Sequence, residues 1–97
     1  MIVVDDKVIS YLAEKNGEQY NLHKASEECQ ELGLVLNQYI LKPGKVKTKE
    51  IIDEIGDVIL RVEILKKMFS EKEIQDRVNY KQSKYKEYID SKQYSKI

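Results

Sequence analysis

The clearest signal in the chain is the spacing of its apolar residues. From about Glu18 to Leu41, Leu22, Ala25, Cys29, Leu32, Leu36 and Ile40 recur in alternating steps of three and four, which places them on one stripe of a helix. Lys42-Pro43-Gly44-Lys45 interrupts the pattern, because proline cannot continue a helix and its neighbour is pushed out of the helical region. The same spacing then returns in Ile51, Ile55, Val58, Val62, Leu65 and Phe69, widened by Ile52 and Ile59. Thr48 is expected to cap this second long helix.

Two further helices are predicted at the ends. Asp5 or Asp6 can cap a short first helix carrying Val8, Ile9 and Leu12, with Asn16-Gly17 as its stop, since both residues tolerate left-handed backbone. Ser70-Glu71-Lys72-Glu73 has the form of a capping box. It opens a fourth helix carrying Ile74, Val78, Tyr85 and Ile89, increasingly polar towards a frayed end at Ile97. The expected architecture is all-α: one domain over residues 1–97, a bundle of four helices whose central pair is antiparallel because its connection is short. Such a short chain buries little of its own surface, so completion by homo-oligomerisation is expected.

Composition narrows the function classes. Seventeen basic residues balance seventeen acidic ones, so no overall field recruits a nucleic-acid polymer or an anionic membrane. No apolar run is long enough to span a bilayer. The start carries no apolar stretch of signal-peptide length and Cys29 is the only cysteine, so a cytoplasmic location is expected.

Against this balance, acidic residues cluster locally. The second helix contains Glu27-Glu28-x-x-Glu31 and the third contains Glu54-x-x-Asp57. Residues three apart on a helix share a face, and like charges there repel unless a cation intervenes. Glu28 precedes Cys29 as Glu54 precedes Ile55, with Glu31 and Asp57 following at the same offset. Equivalent flanks of two antiparallel helices meet on one side of their seam, so the four carboxylates should converge. A hard divalent cation makes that tolerable, and Mg²⁺ is typically held by a few carboxylates together with substrate phosphates. Zinc or iron fits less well, because His23 is the only histidine. Such acidic spacings also occur on plain solvated helix faces.

Lys24-Ala25-Ser26-Glu27-Glu28-Cys29-Gln30-Glu31-Leu32, followed by Glu54-Ile55-Gly56-Asp57-Val58, resembles the MazG-like family of all-α nucleoside triphosphate pyrophosphohydrolases, whose pattern is K-x-x-E-E-x-x-E, a spacer, then E-x-x-D. The resemblance extends from about Gln19 through the fourth helix and implies a homodimer or dimer of dimers. Glu28, Glu31, Glu54 and Asp57 would be ligands of Mg²⁺, with Mn²⁺ as a substitute, and Glu27 an additional acid or a helper for the attacking water. Lys24 would meet a substrate phosphate. Asn21 stands where many relatives have glutamine, and Lys81 and Lys84 lie where relatives often carry basic residues near the substrate. The implied reaction cleaves a nucleoside triphosphate between its α- and β-phosphates. Two alternatives are a phosphoribosyl-ATP pyrophosphohydrolase-like enzyme, whose usual histidine segment is replaced here by Val58-Ile59-Leu60-Arg61, and a non-catalytic helical oligomerisation module.

Other features carry blander expectations. Cys29 is assigned to core packing and His23 to the surface. Lys42, Lys45, Lys47 and Lys49 form a basic turn that is chiefly solubilising. Tyr80, Tyr85, Tyr88 and Tyr94 are expected to cover an oligomer interface or the edge of the core.

Overall fold

A computed structural model describes all residues, 1–97. It contains four α-helices and no strand: α1 (Asp6–Lys15), α2 (Glu18–Leu41), α3 (Thr48–Met68) and α4 (Glu71–Asp90), followed by a 3₁₀ turn at Tyr94–Lys96. The local signals account for most helix ends. The Asp5 carboxylate accepts a hydrogen bond from the Lys7 backbone amide at 2.9 Å, and the Ser70 hydroxyl accepts one from Glu73 at 3.2 Å, each satisfying a donor that the helix itself leaves free. Gly17, at φ 79, makes the turn from α1 into α2, a left-handed conformation in which a side chain is strained. Thr48, expected as a cap, is instead the first residue of α3. Lys47 occupies the cap position without a side-chain hydrogen bond, and Val46 beside it is buried.

α2 and α3 form the central pair, and α1 packs across α3. Ile9 from α1 and Ile64 from α3 are among the most buried side chains, at 2% and 1% exposure. Asn21, also 1% exposed, donates its side-chain amide to the Leu12 carbonyl at 3.1 Å, tying α2 to the end of α1. Outside this packing, Lys67 reaches Asp6 at 2.8 Å.

The seam between α2 and α3 does not follow the predicted stripes. On α2 the covered positions include Asn21, Ala25, Glu28, Leu32 and Val35, and on α3 they include Ile51, Glu54, Val58, Arg61, Leu65 and Met68; Lys24 and Gly33 of α2 and Ile59, Glu63, Ile64 and Lys66 of α3 are covered as well. Ala25, Leu32, Ile51, Val58 and Leu65 were expected there. The other predicted positions, Leu22, Cys29, Leu36 and Ile40 on α2 and Ile55, Val62 and Phe69 on α3, are exposed. Cys29 is therefore not a core residue of this chain. Several exposed positions come one residue after a covered one, about 100° further round the helix. Both helices are thus turned the same way, and the acidic flank enters the seam while half or more of each apolar stripe remains outside.

α4 adds little to the core. None of its residues is buried, and Ile74, Lys84 and Tyr88 alone are partly covered. The chain consequently has a Cα radius of gyration of 16.3 Å, against about 12–13 Å for a compact domain of this length.

Candidate metal centre

The rotation of the seam decides the chemistry of its middle. Glu28 stands between Ala25 and Leu32 on the covered face of α2, and Glu54 between Ile51 and Val58 on that of α3. Asp57 lies one turn along α3 at the solvent edge. Glu28, Glu54 and Asp57 each offer a carboxylate oxygen within 4.8 Å of the other two. Glu31, on the exposed side of α2, is close enough to raise the proton affinity of both glutamates. Three of the four expected carboxylates therefore gather on one side of the α2–α3 pair, and the charge of Glu31 acts on two of them.

The electrostatic consequence is unfavourable for the bare chain. The Glu28 carboxyl is held above the ordinary glutamate range, first by removal from water and then by the charges of Glu31 and Asp57. A hydrogen bond with Glu31 pushes in the same direction, and Arg61 opposes it weakly. Glu54 is raised likewise, by desolvation first and then by Glu31, Asp57 and Glu28. Glu28 Oε2 and Glu54 Oε2 are closed off from solvent without a hydrogen-bond partner, a state that costs free energy unless a donor or cation arrives. An all-oxygen donor set with two such orphaned atoms fits a hard divalent cation and offers nothing to a soft one.

The remaining expected residues fall into different settings. Lys24 is partly covered on the acidic flank of α2, but its ammonium pairs with Glu27 at 3.2 Å rather than with Glu28. Glu27 faces outward. Asn21, assigned to the substrate by resemblance, is enclosed in the α1–α2–α3 junction and uses its amide on Leu12, so it has no open face in this arrangement. On α4, Lys84 pairs with Glu87 at 3.5 Å and lies 5.8 Å from the Tyr80 ring, while Lys81 lies 5.2 Å from the Tyr85 ring. Neither meets the carboxylate cluster within this chain. The tyrosines here act mainly as platforms for cations of their own or a nearby segment, including Arg77 on Tyr80 and Lys96 on Tyr88. Of the turn lysines, Lys42 and Lys45 line a surface cleft with Gln38, Leu41, Val46 and Glu50, and Lys49 is paired with Asp53.

One residue of the site was missed by the sequence reading. Arg61 lies in the seam, partly covered, with Nη1 closed off from solvent and without an acceptor. Its spacing gave the signal: four residues after Asp57 and seven after Glu54, it shares their face of α3.

Comparison of the chain with models of known protein families gives no match, and comparisons with curated proteins and with solved structures give none either.

Proposed function

We propose that this chain is a Mg²⁺-dependent nucleoside triphosphate pyrophosphohydrolase, converting a ribo- or deoxyribonucleoside triphosphate to the monophosphate and pyrophosphate. One observation carries the reading: carboxylates from two antiparallel helices offer three oxygens within 4.8 Å of one another, two of these side chains having an orphaned buried oxygen. The resemblance of the K-x-x-E-E-x-x-E and E-x-x-D segments supplies the reaction class.

In this mechanism Glu28, Glu54 and Asp57 would hold the cation, and Glu31 would serve as a fourth oxygen donor or as an acceptor for the proton of the attacking water. Bound Mg²⁺, with Mn²⁺ as a substitute, would supply neutralisation of phosphate charge and a water of lowered pKa. Water attacks the α-phosphorus, the bond from that phosphorus to the bridging oxygen breaks, and pyrophosphate leaves with the bridging oxygen. The water's proton passes to a carboxylate of the flank. No covalent nucleophile is required, because phosphoryl transfer is catalysed mainly by positioning and charge stabilisation. Lys24, paired with Glu27 at 3.2 Å, precedes Glu28 by one turn of α2 and would meet a phosphate of a triphosphate held there.

The chain is further proposed to work as a homodimer or dimer of dimers. Its accessible surface is 7871 Å², whereas a compact monomer of this mass exposes about 5,800 Å². The excess is comparable to the area that stable interfaces bury, and Leu22, Leu36, Ile40, Ile52, Ile55 and Val62 are among the exposed apolar residues that a second copy would cover.

The test is a panel of nucleoside triphosphates monitored for pyrophosphate with Mg²⁺ or Mn²⁺, with EDTA and Asp57→Asn as controls. Release is expected from at least one nucleotide and should be lost in both controls. A panel in which the wild type releases no more than Asp57→Asn overturns the enzymatic reading. Saturable Mn²⁺ binding without turnover would leave a metal-binding module, and no metal binding at all would leave an inert helical one.

A further inference from the structure

The unpaired atoms of the seam are of two opposite kinds. Glu28 Oε2, Glu54 Oε2 and, at the junction with α1, Asn21 Oδ1 are acceptors without donors, and Arg61 Nη1 is a donor without an acceptor. Glu28, Glu54 and Arg61 share one flank of the α2–α3 pair, yet Arg61 forms no ion pair with any of the carboxylates, the pairs in this chain all being made by lysines. A guanidinium nitrogen closed off from solvent without an acceptor is costly, because its desolvation is not repaid by a hydrogen bond.

The layers are ordered along the helices. Arg61 follows Asp57 by one turn, about 6 Å along α3, and Lys24 precedes Glu28 by one turn on the antiparallel α2. Both cations therefore stand at the same end of the acidic cluster, towards the junction with α1. The influence of Arg61 on both Glu28 and Lys24 agrees with that placement. Acceptors next to an orphaned donor are complementary to a cation that carries an anion, and the planar fork of arginine suits phosphate oxygens.

We infer that Arg61 is a phosphate-binding residue of this site, taking a phosphoryl group of a metal-bound di- or triphosphate whose cation sits on Glu28, Glu54 and Asp57. This deepens the metal-site reading above and rests on it. Arg61 is then what distinguishes a phosphate-bearing ligand from a bare cation.

The experiment uses the full chain with Mn²⁺ alone and then with inorganic pyrophosphate in the presence of Mn²⁺, both followed by calorimetry, with circular dichroism as the check on folding. Arg61→Met is expected to bind Mn²⁺ as well as the wild type or more tightly, since a neighbouring positive charge is removed. Its affinity for pyrophosphate with Mn²⁺ should fall at least about tenfold. Arg61→Lys, which keeps the charge without the fork, should lie between the two. If Arg61→Met does not fold, Arg61→Gln carries the same comparison. Pyrophosphate binding unchanged in the folded variant overturns the role of Arg61 while leaving the metal site intact. Failure of the wild type to bind Mn²⁺ is a separate result, which overturns the metal site and this assignment together.

Discussion

The two flanks of the α2–α3 pair are built from neighbouring residues of the same helices and have opposite unmet needs. On one side Glu28, Glu31, Glu54 and Asp57 crowd together with Arg61, and several of their polar atoms lack partners. On the other, Leu22, Cys29, Leu36 and Ile40 of α2 and Ile55 and Val62 of α3 lie open. The first flank is short of charge compensation, the second of apolar cover. A single chain of this length can supply neither, because its core is spent on joining α1 to the central pair. The contrast teaches that one rotation of the seam creates both deficits: turning the acidic side inward turns half or more of each apolar stripe out.

The largest effect should come from breaking the apolar flank. Leu36→Asp combined with Ile55→Asp places two charges on it while leaving the carboxylate cluster untouched. Light scattering after gel filtration should show the oligomer of the wild type reduced to monomer. A wild type that is already monomeric at micromolar concentration would remove the difference between the flanks and the oligomer proposal with it.

The acidic flank should respond in the opposite sense. Because Glu28 and Glu54 hold their protons more tightly when folded than the ordinary glutamate value of 4.5, the folded chain binds more protons than the unfolded one between that value and their raised ones. Stability of the metal-free protein therefore rises as pH falls from neutral through that window and levels off below it. The Asp6–Lys67 pair acts the other way, but Asp6 is lowered from 3.8, so its contribution is lost only at more acid pH. Glu28→Gln removes one of the crowded charges and should raise the melting temperature of the metal-free protein at neutral pH by roughly 2–4 °C. It should also flatten the pH dependence and abolish any stabilisation by Mg²⁺. A melting temperature that falls on this substitution would show that the carboxylates are already compensated.

A smaller effect sharpens the comparison without changing either flank's charge. Cys29 lies on the open apolar side of α2, so a thiol reagent should modify it readily in dilute protein and several-fold more slowly once a second copy covers that face. Labelling rates independent of protein concentration would place the interface elsewhere.

Much of the fold was readable from local features. The apolar spacing, Pro43, Asn16-Gly17 and the Ser70-x-x-Glu73 box located four helices and most of their ends, because helix period, caps and breakers act within a few residues. That Glu28 would meet Glu54 and Asp57 was also readable, since offsets from a stripe translate into flanks once two helices run antiparallel. Arg61 was passed over although its spacing from Glu54 and Asp57 puts it on their face of α3, because an acidic pattern draws attention to carboxylates and not to the cation one turn beyond them. Lys81 and Lys84 could not be placed from the pattern, because how α4 lies against the rest is settled by contacts that a periodicity does not encode.

What the sequence by itself determined is the set of helices and the order of charges and apolar residues around each one. Which sector of those circles becomes the seam was decided only by tertiary packing. An apolar stripe wider than one neighbour can cover leaves several rotations open, and the one adopted is the one in which α1 docks, with Ile9 of α1 and Ile64 of α3 buried and Asn21 of α2 donating to the Leu12 carbonyl of α1. That choice brings Glu28 and Glu54 together with one oxygen of each closed off from solvent, exposes Cys29, and leaves Arg61 with a donor to fill.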